Sequence, residues 1–320
     1  MGVSSASAAT YHRHVRVLVV SNPRATATTA RQRDVLVHAL AADAKLEVEE
    51  TANRGHAAAL ACRAMRDGVD AVVALGGDGT VNEVVNGLLT DGVHDRVPAL
   101  GVVPAGSTNV FARALGLPND PVEATSVLID AMNSSRERSI SLGRADGRWF
   151  VFAAGFGLDA AVVKAVEAHR RRGRTSTHAL YLRTTARRYF AEDRRKPALR
   201  LELPDGEIVE DLYMAIVTNC TPWTYLGNRP LTPTPRASFS DALDVYVRTR
   251  LGLPSVLLGS IRIARGTTKE REFGAQTRHD LTEFVLRARH PMPFQVDGDA
   301  LGDRREVHFQ GVRNALRVFV

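Results

Sequence analysis

A chain of 320 residues, 44% hydrophobic and 24% charged, has the make-up of a globular protein and is long for a single core, which favours two domains. Its two cysteines, Cys62 and Cys220, lie far apart and near no histidine cluster, which excludes a disulfide framework and a zinc site. The formal net charge is +7, and no apolar run reaches the roughly eighteen residues of a membrane span.

Residues 1–13 lack the apolar segment of a signal peptide, and Ala6 stands where a myristoylation signal has Ser or Thr. They are expected to be a disordered lead-in. From residue 14 to about 135, strand and helix patterns alternate. "VRVLVV" (15–20), "KLEVEET" (45–51), "DAVVAL" (70–75) and "PALGVVP" (98–104) read as strands. Helical patterns fall at 28–42, 55–68, 80–89, 108–116 and 120–132. This alternation predicts a parallel sheet covered by helices on both faces.

From about 136 to 313 the pattern changes to successive strands, many with period two. They include "RSISLGRA", "RWFVFAAG", "EDLYMAIVTN", "ALDVYVRTR", "TEFVLRA" and "PFQVDGD". A mainly antiparallel β domain follows from this. Helical patterns interrupt it at 158–193 and 254–266, and the final residues, 314–320, are open to either domain. Residues 164–196 hold eleven Lys/Arg against three acids, more than the whole net charge. Such a segment is either a solvated arginine-rich face or a contact for an anionic surface. No nucleic-acid-binding module is recognisable, so a membrane surface is the favoured partner.

The chemistry concentrates at strand ends. In "ALGGDGTVNEVVNG" a buried strand stops at Gly76, Gly77, Asp78, Gly79 and Thr80, and a helix starts near Thr80. Glycines let backbone amides approach a ligand closely, and a helix N-terminus favours anions. Asp78 is out of place beside phosphate unless Mg²⁺ lies between them; the plainer reading is a tight turn with Asp78 as a cap. "VPAGSTN" (103–109), "SNPRA" (21–25) and "TANRGHA" (51–57) have the same address, and four such loops on one rim indicate a nucleotide. No Walker sequence and no protein-kinase catalytic loop is present. In the second domain, Asp241 and Asp244 sit in "ASFSDALDV", and Asp297 and Asp299 sit in "QVDGDALGD". These acids serve either their own turns or a phosphoryl transfer, which needs a proton acceptor and a seat for Mg²⁺. A cleft between the domains would set Asp299 opposite Asp78.

The chain resembles the diacylglycerol kinase catalytic family, in particular its soluble bacterial lipid kinases, which are related to sphingosine and ceramide kinases. The resemblance rests on "ALGGDGTVNEVVNGL" and "VVPAGSTNVFARALGLP", with weaker support from "TANRGHA", "AAGFGLDA" and "SDALDV". It implies an α/β first domain with a parallel sheet, a mainly antiparallel β second domain, and ATP in the cleft. Nucleotide contacts would fall on Asn22, Thr51, Gly76, Gly77, Asp78, Gly79, Thr80, Val81, Asn82 and Ser107. Asp299 aligns with the family's proton acceptor, and a structural Mg²⁺ would sit at Asp241 with the carbonyls of Ser238 and Leu243. The sequence departs from the family at three points. Asp299 stands for the usual Glu, Ala242 for a Gly, and "SNPRAT" lacks the Ser-Gly that often follows Asn-Pro.

The implied activity is transfer of the γ-phosphate of Mg-ATP to a lipid hydroxyl, most readily that of diacylglycerol or a related lipid. The implied location is cytoplasmic and peripheral to a membrane, reached through the basic segment. Two rivals share the same residues: an NAD kinase-like enzyme with a soluble substrate, and a non-catalytic nucleotide-binding regulator that responds to lipid. A homodimer through a strand edge is left open.

Overall fold

The computed structural model describes residues 15–25, 28–41, 45–171, 184 and 197–320. The expected lead-in and most of the basic segment 164–196 lie outside the described residues.

The first domain runs β1 (Arg16–Ser21), α1 (Ala30–Ala41), β2 (Lys45–Glu50), α2 (His56–Arg66), β3 (Ala71–Gly76), α3 (Asp78–Leu88), β4 (Ala99–Pro104), α4 (Val110–Ala114) and α5 (Pro121–Asn133). Its strands are parallel, in the order β2-β1-β3-β4. Every residue of β3 and β4 is buried, as continuous apolar strands must be when helices cover both faces. The connection out of β1 goes to one side and the strand after that returns to the other. The carboxyl ends of β1 and β3 therefore flank a topological switch point, where open α/β sheets bind ligands.

The second domain is mainly antiparallel, as expected. It comprises β5 (Glu137–Ala145), β6 (Arg148–Phe150), β7 (Ala153–Gly157), α6 (Leu158–Arg171), β8 (Leu199–Glu202), β9 (Ile208–Leu212) and β10 (Met214–Thr218). It continues through β11 (Thr224–Leu226), β12 (Arg229–Leu231), β13 (Leu243–Arg248), α7 (Leu253–Arg265), β14 (Arg271–Glu272), β15 (Ala275–Leu281), β16 (Glu283–Val296) and β17 (Asp299–Phe319). The last strand is 21 residues long and belongs to both domains. It pairs with β16 at its start and with β5 farther along, and Val318 lies parallel to Leu100 of β4 near its end. A single sheet thus runs through both domains.

Two segments that read as single strands are broken. "RWFVFAAG" divides into β6 and β7 because the amides of Val151, Phe152 and Ala153 donate to the Asp297 carboxylate. "EDLYMAIVTN" divides into β9 and β10 after Asp211 takes a left-handed conformation at φ 59°. Helix α3 starts at Asp78, two residues earlier than its apolar pattern indicates.

The largest apolar cluster crosses the domain boundary. Val84 and Leu88 of α3 and Phe111 of α4 belong to the same core as Leu142, Trp149 and Phe239. The rings of Phe111 and Phe239 meet edge to face, 5.5 Å between centroids. Helix α3 also lies close against α2: a Cβ at Gly87 would stand 2.2 Å from the Ala58 carbonyl oxygen, which is backbone and cannot yield. Intrinsic helix propensity favours alanine over glycine by about 1 kcal/mol. We predict that Gly87→Ala nevertheless destabilises the protein by about 1–3 kcal/mol, as overpacking does, measured by urea unfolding. A gain in stability would contradict the close crossing.

Candidate active site

The four loops expected to share one rim do so. Those after β1, β3 and β4 gather at the switch point, and the loop after β2 lies beside them. The turn after β3 and the turn after β4 touch through backbone: a Cβ on Gly106 would come within 2.6 Å of the Gly77 Cα. A Cβ on Gly76 would strike Thr80 Oγ1 at 2.5 Å. Both positions need glycine for closeness rather than for positive φ. Gly79, by contrast, is exposed and faces open space. Asn22 closes the rim from the β1 side, its Nδ2 donating to Thr80 Oγ1 at 3.2 Å and its Oδ1 accepting from the Arg24 amide. Thr51 is half-buried, with its amide tied to the Ser21 carbonyl. Ser107 is exposed on the loop that Asn109 closes by exchanging hydrogen bonds with Gly106.

Helix α3 carries the polar residues that hold this rim together. The Asp78 carboxylate accepts from the amides of Val110 and Phe111, at 3.0 and 3.1 Å, and so caps α4. Burial pushes its carboxyl above the ordinary range, against the pull of these amides and of Arg113. Glu83 accepts from the amides of Gly55 and Ala57 and so serves the start of α2. Asn82 spans the domains. Its Nδ2 donates to Asp297 Oδ2 at 2.7 Å and to the Trp149 carbonyl at 3.0 Å. Its Oδ1 accepts from Arg148 at 2.8 Å and from Asn86. Both amide hydrogens and both lone-pair sites are thereby used.

Three of the expected site residues have their side chains engaged within the protein. Both oxygens of the Asp78 carboxylate face α4. The Asn82 side chain is 1% exposed and has no capacity left for a nucleotide. Val81 is buried in the core, and its amide, like that of Thr80, donates to the Gly77 carbonyl. The amides of Gly77, Asp78 and Gly79 remain at the open end of α3. They make no hydrogen bond among the described residues, as the first amides of a helix commonly do not.

Asp299 reaches the rim from the second domain, but its neighbours are not those expected. Arg54 of the loop after β2 lies 2.7 Å from Asp299 Oδ2, and Arg148 of β6 lies 3.4 Å away. The hairpin that positions it is a two-residue Asp297–Gly298 turn with φ of 47° and 81°. Those positive values are what asparagine, aspartate and glycine supply between right-twisted strands. Asp297 is held by four donors, Asn82 Nδ2 and the amides of Val151, Phe152 and Ala153, while burial pushes its carboxyl up to about 6. Asp159, at the start of α6, is also buried and pushed up to about 6, with Gln295 Nε2 donating to it at 2.9 Å. Gln295 in turn accepts from the Gly298 amide, so Asp159 supports the same hairpin.

The expected metal residues are only partly gathered. Ser238 and Asp241 share a turn, the Asp241 amide donating to the Ser238 carbonyl at 3.1 Å, and Leu243 opens β13. The Asp241 carboxylate makes no hydrogen bond or ion pair among the described residues. Asp244 points away into the sheet, where His279 and the Asp280 amide hold it. Among the described residues no group of three or more His, Cys, Asp or Glu is placed to bind a metal. One carboxylate with neighbouring carbonyls is still an all-oxygen donor set, which suits a hard cation. Ala242, where the family pattern has glycine, is buried against Gly311. The residues that sequence reasoning missed are Arg54, Arg148, Glu83 and Asp159. Glu83, Arg54 and Asp159 stand inside quoted motifs, "GGDGTVNE", "TANRGHA" and "AAGFGLDA", whereas Arg148 opens a strand and carries no motif signal.

Residues 16–144 match the family model of the diacylglycerol kinase catalytic domain. The chain is 45% identical over 89 residues to a diacylglycerol kinase of Bacillus subtilis (strain 168), covering 28% of this chain and 27% of that one. It is 33% identical over 178 residues to a "probable lipid kinase YegS-like" protein of Chromohalobacter salexigens, covering 54% and 53%. The chain thus spans about half, or less, of the length of these curated relatives. A crystal structure of a diacylglycerol kinase from Bacillus anthracis strain Sterne shares the fold over 96% of this chain and 97% of that chain. Its TM-score is 0.72 at 20% identity, and a second structure from that organism gives 0.76 at 21%.

Two predictions follow from the hydrogen bonding. Replacing Asn82 by Ala strips a donor from buried Asp297 and an acceptor from Arg148, and should cost about 2–4 kcal/mol of stability. Urea unfolding measures this; unchanged stability with weakened ATP binding would mean that Asn82 serves the nucleotide instead. Asp159 binds its proton more tightly folded than unfolded, because its carboxyl rises from 3.8 to about 6. Its contribution to stability is therefore highest at low pH and declines as pH rises from about 4 to about 6. Asp159→Asn removes that slope. The stability of the variant minus that of wild type should rise through this window by up to about 3 kcal/mol and be level above it. A difference independent of pH would show that Asp159 is not held in this way.

Proposed function

We propose that the protein is an ATP-dependent lipid kinase that transfers the γ-phosphate of Mg-ATP to a lipid hydroxyl, with diacylglycerol or a related lipid as the substrate class. The observation that carries this reading is the contact of Asp299 with Arg54 of the loop after β2, one of the four loops of the rim. A carboxylate from the second domain stands at the edge of the loops whose free amides are suited to phosphate. The named relatives supply the lipid class, and comparison with them supports the phosphotransfer reading.

In this account the amides of Gly77, Asp78 and Gly79, at the positive end of α3, hold phosphate oxygens. Gly76 and Gly106 keep the two turns close enough to form one surface. Asn22, Thr51, Thr80 and Ser107 line the rim on the nucleotide side. Asp78 acts through α4, by fixing the loop that carries Ser107. Asp299 accepts the proton of the attacking hydroxyl, and Arg54 and Arg148 orient its carboxylate. Its side chain is one methylene shorter than the usual glutamate, and Arg148, itself fixed by Asn82, sets how far it reaches. Asp241 with the carbonyls of Ser238 and Leu243 would hold a structural Mg²⁺, and the Mg²⁺ bound with ATP would neutralise phosphate charge. The membrane partner is reached peripherally from the cytoplasmic side, with the basic segment 164–196 toward anionic lipid. Among the described residues no helix is long and apolar enough to cross a membrane.

The test uses purified protein, Mg²⁺, radiolabelled ATP and mixed micelles of diacylglycerol or total lipid extract, with Asp299→Asn beside wild type. Label should pass into the organic phase with wild type and fall by about 100-fold or more in the variant. Transfer to NAD instead of lipid, or ATP binding without transfer to any acceptor, would overturn the proposal in favour of a soluble-substrate kinase or a regulator.

A further inference from the structure

Helix α7 is packed the wrong way round for a surface helix. It buries its smallest residues, Ser255 and Gly259, against the sheet. The contact is close: a Cβ at Gly259 would stand 2.4 Å from an Arg248 guanidinium nitrogen, and Arg248 also donates to Ser255 Oγ at 2.8 Å. Val256 and Ile263 also pack toward the core, but four large aliphatic residues face outward. Leu253, Leu257, Leu258 and Ile261, at i, i+4, i+5 and i+8, form one exposed stripe, with Leu253 and Leu257 57% and 65% accessible. Phe273, 56% accessible, lies beside the first turn of α7, since its carbonyl accepts from Ser255 Oγ. Of ten exposed large hydrophobics among the described residues, five fall between 253 and 273, a clustering that marks an interaction surface rather than scatter.

The charge around the stripe selects the partner. Arg250, Arg265, Lys269 and Arg271 are all exposed at its edge, and the Arg250 guanidinium lies 5.1 Å from the Phe273 ring centroid. The acids nearby are already paired, Glu270 with Arg236 and Glu272 with Arg262. A second copy of the chain would bring like charges together on this face, which opposes association. An apolar stripe bordered by basic side chains is instead the arrangement of a helix that lies in the headgroup region of an anionic bilayer.

We propose that the outer face of α7, with Phe273, is a docking surface for an anionic lipid bilayer. The surface lies outside the basic segment 164–196 and goes beyond the catalytic reading, because vesicle binding is measured without ATP. The stripe supplies apolar insertion and the arginines supply salt-sensitive attraction.

The experiment is co-sedimentation of the full chain with phosphatidylglycerol/phosphatidylcholine vesicles and with pure phosphatidylcholine vesicles, for wild type, Leu257→Ser/Leu258→Ser and Arg265→Glu/Lys269→Glu. Both pairs are exposed, and unchanged circular dichroism and unfolding midpoints verify the fold. Wild type should bind the anionic vesicles and release them as salt rises. Each double variant should bind about tenfold more weakly. Wild-type binding that neither variant alters, or no binding to anionic vesicles, would overturn the proposal. So would a wild-type dimer in light scattering that the leucine variant makes monomeric, since that result assigns the face to a second copy.

Discussion

The buried hydrogen bond from Asn82 to Asp297 joins a helix of the first, α/β domain to a hairpin of the β domain. Its donor is nearly inaccessible, and its acceptor is a carboxylate already bonded to three consecutive amides. Leaving either side unpaired in that environment is costly, so the contact fixes how the domains meet. The site depends on it in a direct geometric sense. Asp299 is two residues beyond Asp297, across a tight turn with φ of 47° and 81°. Arg148, which reaches Asp299, is held in turn by Asn82 Oδ1. A shift at Asn82 would therefore displace the carboxylate and its arginine together.

Helix α3 distributes its polar groups with the same economy. Asp78 caps α4, Glu83 serves α2 and Asn82 reaches the other domain, so two loops of the rim and the Asp297 hairpin refer to one rigid element. The open end of α3 is left with backbone amides, beside glycines packed so closely that no side chain fits between the turns. This division explains why a motif so rich in polar residues offers few free side chains at its own site. It also gives the arginine pair around Asp299 a place in the account. Arg54 comes from the loop that Glu83 holds and Arg148 is held by Asn82, so both arginines are braced against α3.

The domain plan was legible because its signals are local. Continuous apolar runs such as 70–75 and 98–104 specify buried parallel strands, and period-two alternation after 136 specifies an antiparallel sheet. The rim was legible from glycines at strand ends. What escaped was everything set by contacts between distant residues. Asp78 caps a helix 32 residues away, Asn82 bonds a residue 215 positions away, and neither spacing leaves a mark in the sequence. The division of "RWFVFAAG" has the same origin, because amides that a neighbouring strand would take go to Asp297 instead. The outward face of α7 was hidden for another reason. Its apolar pattern reads equally well as core, and only the packing of Ser255 and Gly259 shows which side is buried.

The central claim is that the loops at 22–25, 76–80 and 106–109 form one phosphate-binding rim. Hydrogen–deuterium exchange of the full chain with and without Mg-ATP tests it most directly. The account predicts slowed exchange in those three loops together, strongest at the amides of Gly77, Asp78 and Gly79. Protection confined to other segments, or ATP binding that leaves all three loops unchanged, would contradict it.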